Sequence, residues 1–355
     1  MSPNSKQHAD RTNRGFRVVA IGGGTGLSTL LKGLKRYTLV AGEIPPDTRP
    51  SQPWISDLTA VVTVSDDGGS SGRLRRELNM LPPGDVRNCL VAVSEDENLL
   101  SQLFQHRFTG SGELEGHSFG NLFLAALTEM TGDFAAAVKK ASEILVTRGH
   151  ILPATSANVE LEATMNDGSH VRGETKINAS AKRIAELKMV PENPEPLAQT
   201  LQAIADADVI TIGPGSLFTS LVPNLLVRGI PEAIVRSRAI KVFVCNLMTE
   251  ANESLHMTAS QHIKAIYDHA RQPVFDYALV NSAPVSDHMK VRYAEEQAEQ
   301  VECDMGAIEA LGVRCVAGNF IEENDYARHA TDRLCKSLLR LAEAARNPQP
   351  VVQQA

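Results

Sequence analysis

No stretch of this 355-residue chain reaches the roughly 18 apolar residues that a membrane span needs, and residues 1–15 hold no apolar run resembling a signal-peptide core. A cytoplasmic location without a membrane span is therefore expected. Cysteine is sparse: Cys89, Cys245, Cys303, Cys315 and Cys335 are odd in number, scattered, and form no C-x-x-C pair, which fits reduced thiols. Positive charge is in deficit, with 35 Lys and Arg against 42 Asp and Glu and a formal charge of −7, so nothing draws the chain generally toward nucleic acid or anionic lipid. Metal and nucleophile signatures are missing too. There is no H-E-x-x-H, Ser216 does not sit in G-x-S-x-G, and His262 and His269 lie beside apolar positions as surface or core-edge histidines do.

What remains is a chain with 43% hydrophobic and 22% charged residues, an ordinary folded composition. Short β-branched runs at Val18–Ile21, Ala60–Val64, Val209–Ile212, Val242–Cys245 and Ala278–Val280 read as strands buried on both faces. Segments of helical period lie between them, at Leu27 to Leu34, Phe134 to Leu145, Leu197 to Ile204, Ile263 to Ala270 and Leu334 to Leu341. Strands alternating with helices predict an α/β fold with a doubly wound, Rossmann-like, mostly parallel sheet. One stretch breaks the rhythm. Val159–Thr164 alternates and runs through Asn166-Asp167-Gly168 into His170–Gly173, predicting a small antiparallel β insertion at about residues 157–178. The expected organisation is one domain over 16–345 between mobile tails, 1–15 and 346–355, with a proline-rich loop at 42–56 and a linker at Pro191–Pro196.

Three glycine-rich loops carry the chemistry. Gly22-Gly23-Gly24-Thr25-Gly26 joins the first strand to the Leu27 helix and presents backbone N–H groups at a helix N-terminus, an anion site. It completes neither familiar fingerprint: Leu27 stands where G-x-G-x-x-G needs its last glycine, and no Gly-Lys-Ser/Thr follows. The second loop, Asp66-Asp67-Gly68-Gly69-Ser70-Ser71-Gly72 with Arg73 and Arg75, follows the second strand. There Asp66 and Asp67 can hold Mg²⁺ bridged to the phosphates of a bound nucleotide, or accept hydrogen bonds from a ribose, and Arg73 or Arg75 can pair with phosphate oxygens. The alternative is that the aspartates cap a turn and the arginines balance them. Asp85 is expected to cap the Cys89 helix, with Arg87 and Asn88 on its first turn reaching the same cavity. His117, read equally as structural or functional, precedes another apolar helix with Asn121 on its first turn as a candidate base or sugar contact. The third loop, Gly213-Pro214-Gly215-Ser216, repeats the first, with Ser216 read as helix cap and phosphate donor. Asn224 is either a ligand contact or a turn former, and Cys245 reads as a buried strand thiol.

Taken in order, Gly22–Gly26, Asp66–Gly72, Pro83–Asn88, Phe119-Gly120-Asn121-Leu122 and Gly213–Leu217 make the chain resemble, over about residues 16–345, the YvcK proteins or gluconeogenesis factors. These are similar in turn to CofD, the 2-phospho-L-lactate transferase of deazaflavin coenzyme synthesis. The resemblance implies a cytoplasmic Rossmann-like protein that binds UDP-sugars, without established turnover, and acts in cell shape, envelope synthesis and growth on gluconeogenic carbon. It implies a protein partner in envelope synthesis, and a homo-oligomer is expected. The chain departs from the YvcK pattern at Thr249-Glu250-Ala251-Asn252-Glu253-Ser254, where those proteins usually carry Thr-Gln-Pro-Gly-Glu-Thr. A CofD-like transfer of a phospholactyl-type group from a nucleotide diphosphate donor is the rival. An NAD-dependent dehydrogenase is disfavoured, because the fingerprint is broken and Glu43, the acidic residue about 20 positions beyond Gly22, falls in the proline-rich loop.

Overall fold

The structure is a computed structural model that describes residues 14–39, 53–95, 99–180 and 182–347. The expected tails before residue 14 and after 347, most of the proline-rich loop and Glu43 lie outside the described residues. Of that loop, Ile55 and Ser56 already belong to a strand.

Twelve strands are described: β1 Phe16–Gly22, β2 Ile55–Val62, β3 His150–Pro153, β4 Glu160–Met165, β5 His170–Arg172, β6 Ile184–Val190, β7 Val209–Ile212, β8 Ile240–Val244, β9 Tyr277–Asn281, β10 Arg314–Gly318, β11 Ile321–Glu323 and β12 Ala327–His329. Seven of them form the central sheet in the order β10-β9-β8-β7-β1-β2-β3, every neighbouring pair parallel. The doubly wound reading holds. Its strands are buried on both sides because alternate residues enter opposite cores: Val18 and Ala20 of β1 belong to one apolar cluster, Val19 and Ile21 to the other. Two sheet strands escaped the sequence reading. β3 (HILP) begins on an exposed His150, and β10 (RCVAG) is an edge strand that buries none of its residues fully, so neither shows a continuous apolar run.

The helices are α1 Gly24–Lys35, α2 Gly69–Leu78, α3 Gly84–Val93, α4 Leu99–Gln105, α5 Phe119–Thr131, α6 Phe134–Ile144, α7 Glu174–Asn178, α8 Ala198–Asp206, α9 Val222–Leu225, α10 Ile230–Arg236, α11 Ala259–Ala270, α12 Asp287–Glu295, α13 Met305–Ala310 and α14 Thr331–Arg346. In α1, Leu27, Leu30, Leu31 and Leu34 recur on one face and are completely buried, which fixes the helix against the sheet. A five-residue π-helical turn, Leu217–Leu221, follows β7 and runs into α9. None of the described helices is long and apolar enough to cross a membrane.

The predicted hairpin is present, with Glu162 opposite Arg172 and Ala163 opposite Val171, and it gains a third strand, β6, that pairs antiparallel with β4. Val159, Leu161, Ala163 and Met165 on its inner side join Leu187 and Met189 in the second core, so the insertion is packed onto the main sheet's helices. A third, small apolar cluster of Leu247, Met248, Val285, Met289 and Ile321 lies beyond the carboxyl ends of β8 and β9.

Burial separates leucines that look alike in sequence. Leu31 is 0% exposed and Leu99 77% exposed. Leu31→Ala is expected to lower stability by about 2–5 kcal/mol, and Leu99→Ala by no more than about 0.5 kcal/mol, in urea denaturation of the two variants against the parent.

Candidate functional site

The chain leaves β1 for β2 on one side of the sheet and returns through β7 on the other, so the strand order reverses between β1 and β7. Open α/β sheets bind ligands at such a reversal, outside the carboxyl ends of the strands. Here the first and third glycine loops meet. A Cβ on Gly26 would overlap the Pro214 carbonyl, so only glycine lets the two backbones pass this closely. Gly213 has φ +87, and a Cβ there would lie 2.5 Å from the Val244 carbonyl oxygen. Together the loops line one side of a cavity of about 440 Å³ with Gly23, Gly24, Thr25, Gly26, Gly215 and Ser216. Gly22 and Gly213 are buried beneath it. From below, buried Asn224 donates through Nδ2 to the Gly22 carbonyl at 3.2 Å and the Ser220 carbonyl at 2.8 Å. Asn224 is thus a support of the loop floor.

The first-turn N–H groups of α1 have no intrahelical partners, as at any helix start, and Gly23 caps them with no side chain. One is met from elsewhere. Asp85 does not cap its own helix, whose N-cap is Pro83. Its carboxylate instead accepts the Gly24 N–H. The surrounding protein strips water from this carboxyl and, with Asp66 nearby, pushes its pKa up to about 6. Ser216 likewise fails as a cap: its hydroxyl donates to Glu250 Oε1 at 3.0 Å. The π turn is capped by Glu253, which accepts from the Phe218 N–H at 3.0 Å and the Thr219 hydroxyl at 2.7 Å. Burial raises the pKa of both Glu250 and Glu253, and at Glu253 repulsion from Glu250 adds to it.

The second loop divides its work. Asp66 Oδ1 accepts the Gly68 N–H at 2.8 Å in a local turn. Its Oδ2 faces the start of α3, where a Cβ on Gly84 would lie 3.2 Å away. Asp67 Oδ1 accepts the Thr175 N–H at 2.8 Å and the Thr175 hydroxyl at 2.6 Å, tying the loop to the start of α7 in the insertion. That leaves Asp67 engaged in structure rather than open beside Asp66. Gly69 is exposed with φ +44, and Ser71 is buried against Gly84. Arg75, buried, donates to the Val159 carbonyl at 2.6 Å and anchors the entry to the insertion. Arg87 donates to Ser118 Oγ at 2.6 Å, Asn121 Oδ1 at 2.9 Å and Asn88 Oδ1 at 2.7 Å, while Asn121 Nδ2 donates to Ser70 Oγ at 3.1 Å. His117 Nδ1 lies 3.0 Å from the same Ser70 hydroxyl. These polar residues from α2, α3 and α5 form a buried network that joins the helices behind the loops.

Sequence reading missed several residues that the fold adds. Glu174 at the start of α7 reaches the carboxylates; burial and then Asp66, Asp85, Glu253 and Asp67 push its pKa up to about 9. Asn246 exchanges two hydrogen bonds with Gly215, at 3.2 and 2.9 Å. Tyr293, Ala298, Ala327 and His329 line the far wall of the cavity. Half-buried His329 bonds the Cys245 carbonyl through Nε2 at 3.0 Å, and desolvation of its ring lowers its pKa to about 4. Only Thr249–Ser254 carried a signal, as the departure noted above. The Cys245 thiol is buried and its pKa raised, so it stays protonated. Among the described residues, no three His, Cys, Asp or Glu side chains are placed to hold a metal ion by themselves.

Asp85 supplies a pH test. Its folded-state pKa, about 6 against 3.8, means that the folded state binds the proton more tightly. Stability therefore falls as pH rises from about 4 to about 6, by on the order of 2–3 kcal/mol. Asp85→Asn keeps an acceptor for Gly24. Its stability relative to the parent is expected to be greater at about pH 8 than at about pH 5 in urea denaturation; an equal difference at both would refute the assignment. Arg75→Ala is expected to cost about 2–3 kcal/mol without any ligand present, because a charged donor to a buried carbonyl is lost; thermal unfolding of the free protein checks this.

The family described as 2-phospho-L-lactate transferase CofD matches residues 18–321. The gluconeogenesis factor of Halalkalibacterium halodurans is 48% identical over 323 residues, 91% of this chain and 95% of that protein. The gluconeogenesis factor of Bacillus subtilis is 44% identical over 326 residues, 92% of this chain and 98% of that one. A crystal structure of a UPF0052 family member from Bacillus halodurans superposes with a TM-score of 0.84 at 47% identity, covering 92% of this chain and 99% of the other. Agreement of sequence and fold over nine-tenths of the chain leaves one conclusion: the chain belongs to the CofD family, in its branch of gluconeogenesis factors, the YvcK or UPF0052 proteins.

Proposed function

We propose that the protein is a gluconeogenesis factor that binds a nucleotide sugar of the UDP-sugar class and regulates cell shape and envelope homeostasis during growth on gluconeogenic carbon, through a protein partner in envelope synthesis. The observation that carries this reading is the convergence of two glycine loops at the strand-order reversal, with the start of α1, where Gly23 offers no side-chain cap, beside them. Backbone N–H groups at such a helix start favour phosphate by hydrogen bonding and by the helix dipole together. The relatives' shared name, gluconeogenesis factor, supports the part that concerns growth on gluconeogenic carbon.

Carboxylates beside a phosphate site call for a counter-charge. Mg²⁺ arriving with the nucleotide would supply it: Asp66, with one oxygen outside the local turn, would contribute a ligand, and phosphate oxygens and water the rest. Asp67 fits this role less well, since Thr175 already holds its Oδ1. Bound there, the ion would neutralise charge on the diphosphate.

One observation favours a second reading, a CofD-like transferase. The carboxyls of Asp85 and Glu174, with pKa values of about 6 and about 9, bracket neutral pH beside the phosphate loops, the range in which a side chain can give or take a proton. Turnover of a deazaflavin acceptor with a nucleotide diphosphate donor by the purified protein would establish it.

Calorimetric titration with UDP-N-acetylglucosamine and Mg²⁺, against sulfate as an unrelated anion, tests the first reading. Selective binding is expected, and binding no tighter than sulfate would refute it. Glu250→Gln removes a carboxylate from the cavity wall, so it is expected to tighten UDP-sugar binding several-fold, corresponding to about 1 kcal/mol of relieved repulsion.

A further inference from the structure

A cavity of about 880 Å³ opens at the opposite, amino edge of the central sheet, where Phe16 begins β1, Asp208 precedes β7 and Ile240 begins β8. Its volume falls within the roughly 300–1,000 Å³ of small-molecule sites. The carboxyl ends of α8, α10 and α14 surround it. By strand rise, the seven residues of β1 separate it from the glycine loops by about 20 Å, and the two cavities share no lining residue.

The charge of this cavity runs against that of the chain. Arg14, Arg17, Arg236, Arg238 and Arg346 line it with two carboxylates, Asp206 and Asp208: five positive charges against two, in a protein of formal charge −7. Asp208 is already engaged. Its Oδ1 accepts from Arg14 Nη2 at 2.7 Å, its Oδ2 accepts from the Arg17 backbone N–H at 2.9 Å, and Arg346 Nη2 lies 3.6 Å from that Oδ2. Asp206 accepts from Gln202 Nε2 at 2.6 Å and stands 3.7 Å from Arg17 Nη1. These pairs leave donors over. Arg17 Nε is buried without a hydrogen-bond acceptor, Asp208 Oδ2 being 3.9 Å away. Arg236 and Arg238 are exposed, and among the described residues they have no hydrogen bond or ion pair. Arg236, the last residue of α10, answers the negative end of its helix, but Arg238 lies beyond the helix and has no such role. Arg346 is held in place: its Cζ stands 3.6 Å from the centroid of the Phe16 ring, and its Nη1 donates to the Arg14 carbonyl at 2.6 Å. Small apolar residues, Ala205, Ala233, Ala342 and Ala345, line the space between the arginines. Guanidinium groups match carboxylate and phosphate oxygens in planar, two-point pairs, so arginines in excess of the protein's own carboxylates suit an anion from solution.

We propose that this cavity is a second ligand site, for a small organic anion with two or more carboxylate or phosphate groups, held by Arg17, Arg236 and Arg238 with its carbon skeleton against the alanines. It is independent of the phosphate reading of the glycine loops. The test uses the full chain, the double variant Arg236→Glu/Arg238→Glu and the milder Arg238→Ala. Both positions are exposed, so the variants are expected to unfold at the parent's temperature. Calorimetry at low salt would compare citrate, inorganic pyrophosphate and, as a monovalent anion, acetate. Citrate or pyrophosphate is expected to bind the parent at least about tenfold more tightly than acetate, and the tighter of the two identifies carboxylate or phosphate as the preferred group. That binding is expected to weaken about tenfold or more in the double variant and about threefold in Arg238→Ala, and to weaken in the parent as salt is added. If neither probe binds more tightly than acetate, or if the binding of both survives the double substitution, the proposal is overturned. Pyrophosphate bound on the glycine loops is untouched by these substitutions, so the two readings fail separately.

Discussion

Helical segments that begin at the carboxyl edge of one sheet set the electrostatics of this protein. Helices α1, α2 and α3 and the π turn at Leu217 all start there, each with unpaired N–H groups and the positive end of its dipole turned toward the same region. Carboxylates answer them at specific points. Asp85 meets the Gly24 N–H, Asp66 the Gly68 N–H, Asp67 the Thr175 N–H of the insertion, and Glu253 the Phe218 N–H. The price is desolvation, joined by repulsion between carboxylates at Asp85, Glu174 and Glu253, visible as the raised pKa values of these three and of Glu250. In a set of charges this closely spaced, the ionisation of each carboxyl depends on its neighbours.

That arrangement depends on rigid support behind it. The two apolar cores hold the sheet from both faces, and the Arg87–Asn121–Ser70 network locks α2, α3 and α5 together without using apolar area. Buried polar networks of this kind specify geometry when their members are paired. Arg75 extends the same logic to the insertion: with its guanidinium on the Val159 carbonyl and Asp67 on Thr175, the second glycine loop is bound to the antiparallel sheet at two points. Glu174 comes to the carboxylates because α7 is held there.

The far wall has a different origin. It is assembled from segments after β8 and β9 and from β12, over the small apolar cluster of Leu247, Met248, Val285, Met289 and Ile321. Separate from the two main cores, this cluster contributes a surface more than it contributes to the core.

The sequence by itself determined the sheet's buried strands, the helices between them, the hairpin and the glycine loops, because each is a local pattern: β-branched runs, a leucine face, Asn-Asp-Gly, clustered glycines. It could not reveal β3 and β10, whose short, polar-flanked or half-exposed residues pair only because a parallel edge is available to them. Nor could it reveal which partner each polar residue would find. Asp85 looks like a cap for its own helix and serves Gly24, Ser216 looks like a cap and leaves that role to Glu253, and Arg75 looks like a phosphate ligand and holds a carbonyl 84 residues away. Helix starts and buried carbonyls are satisfied by whichever group the packing brings within reach, so local sequence names the need and tertiary structure alone chooses the donor.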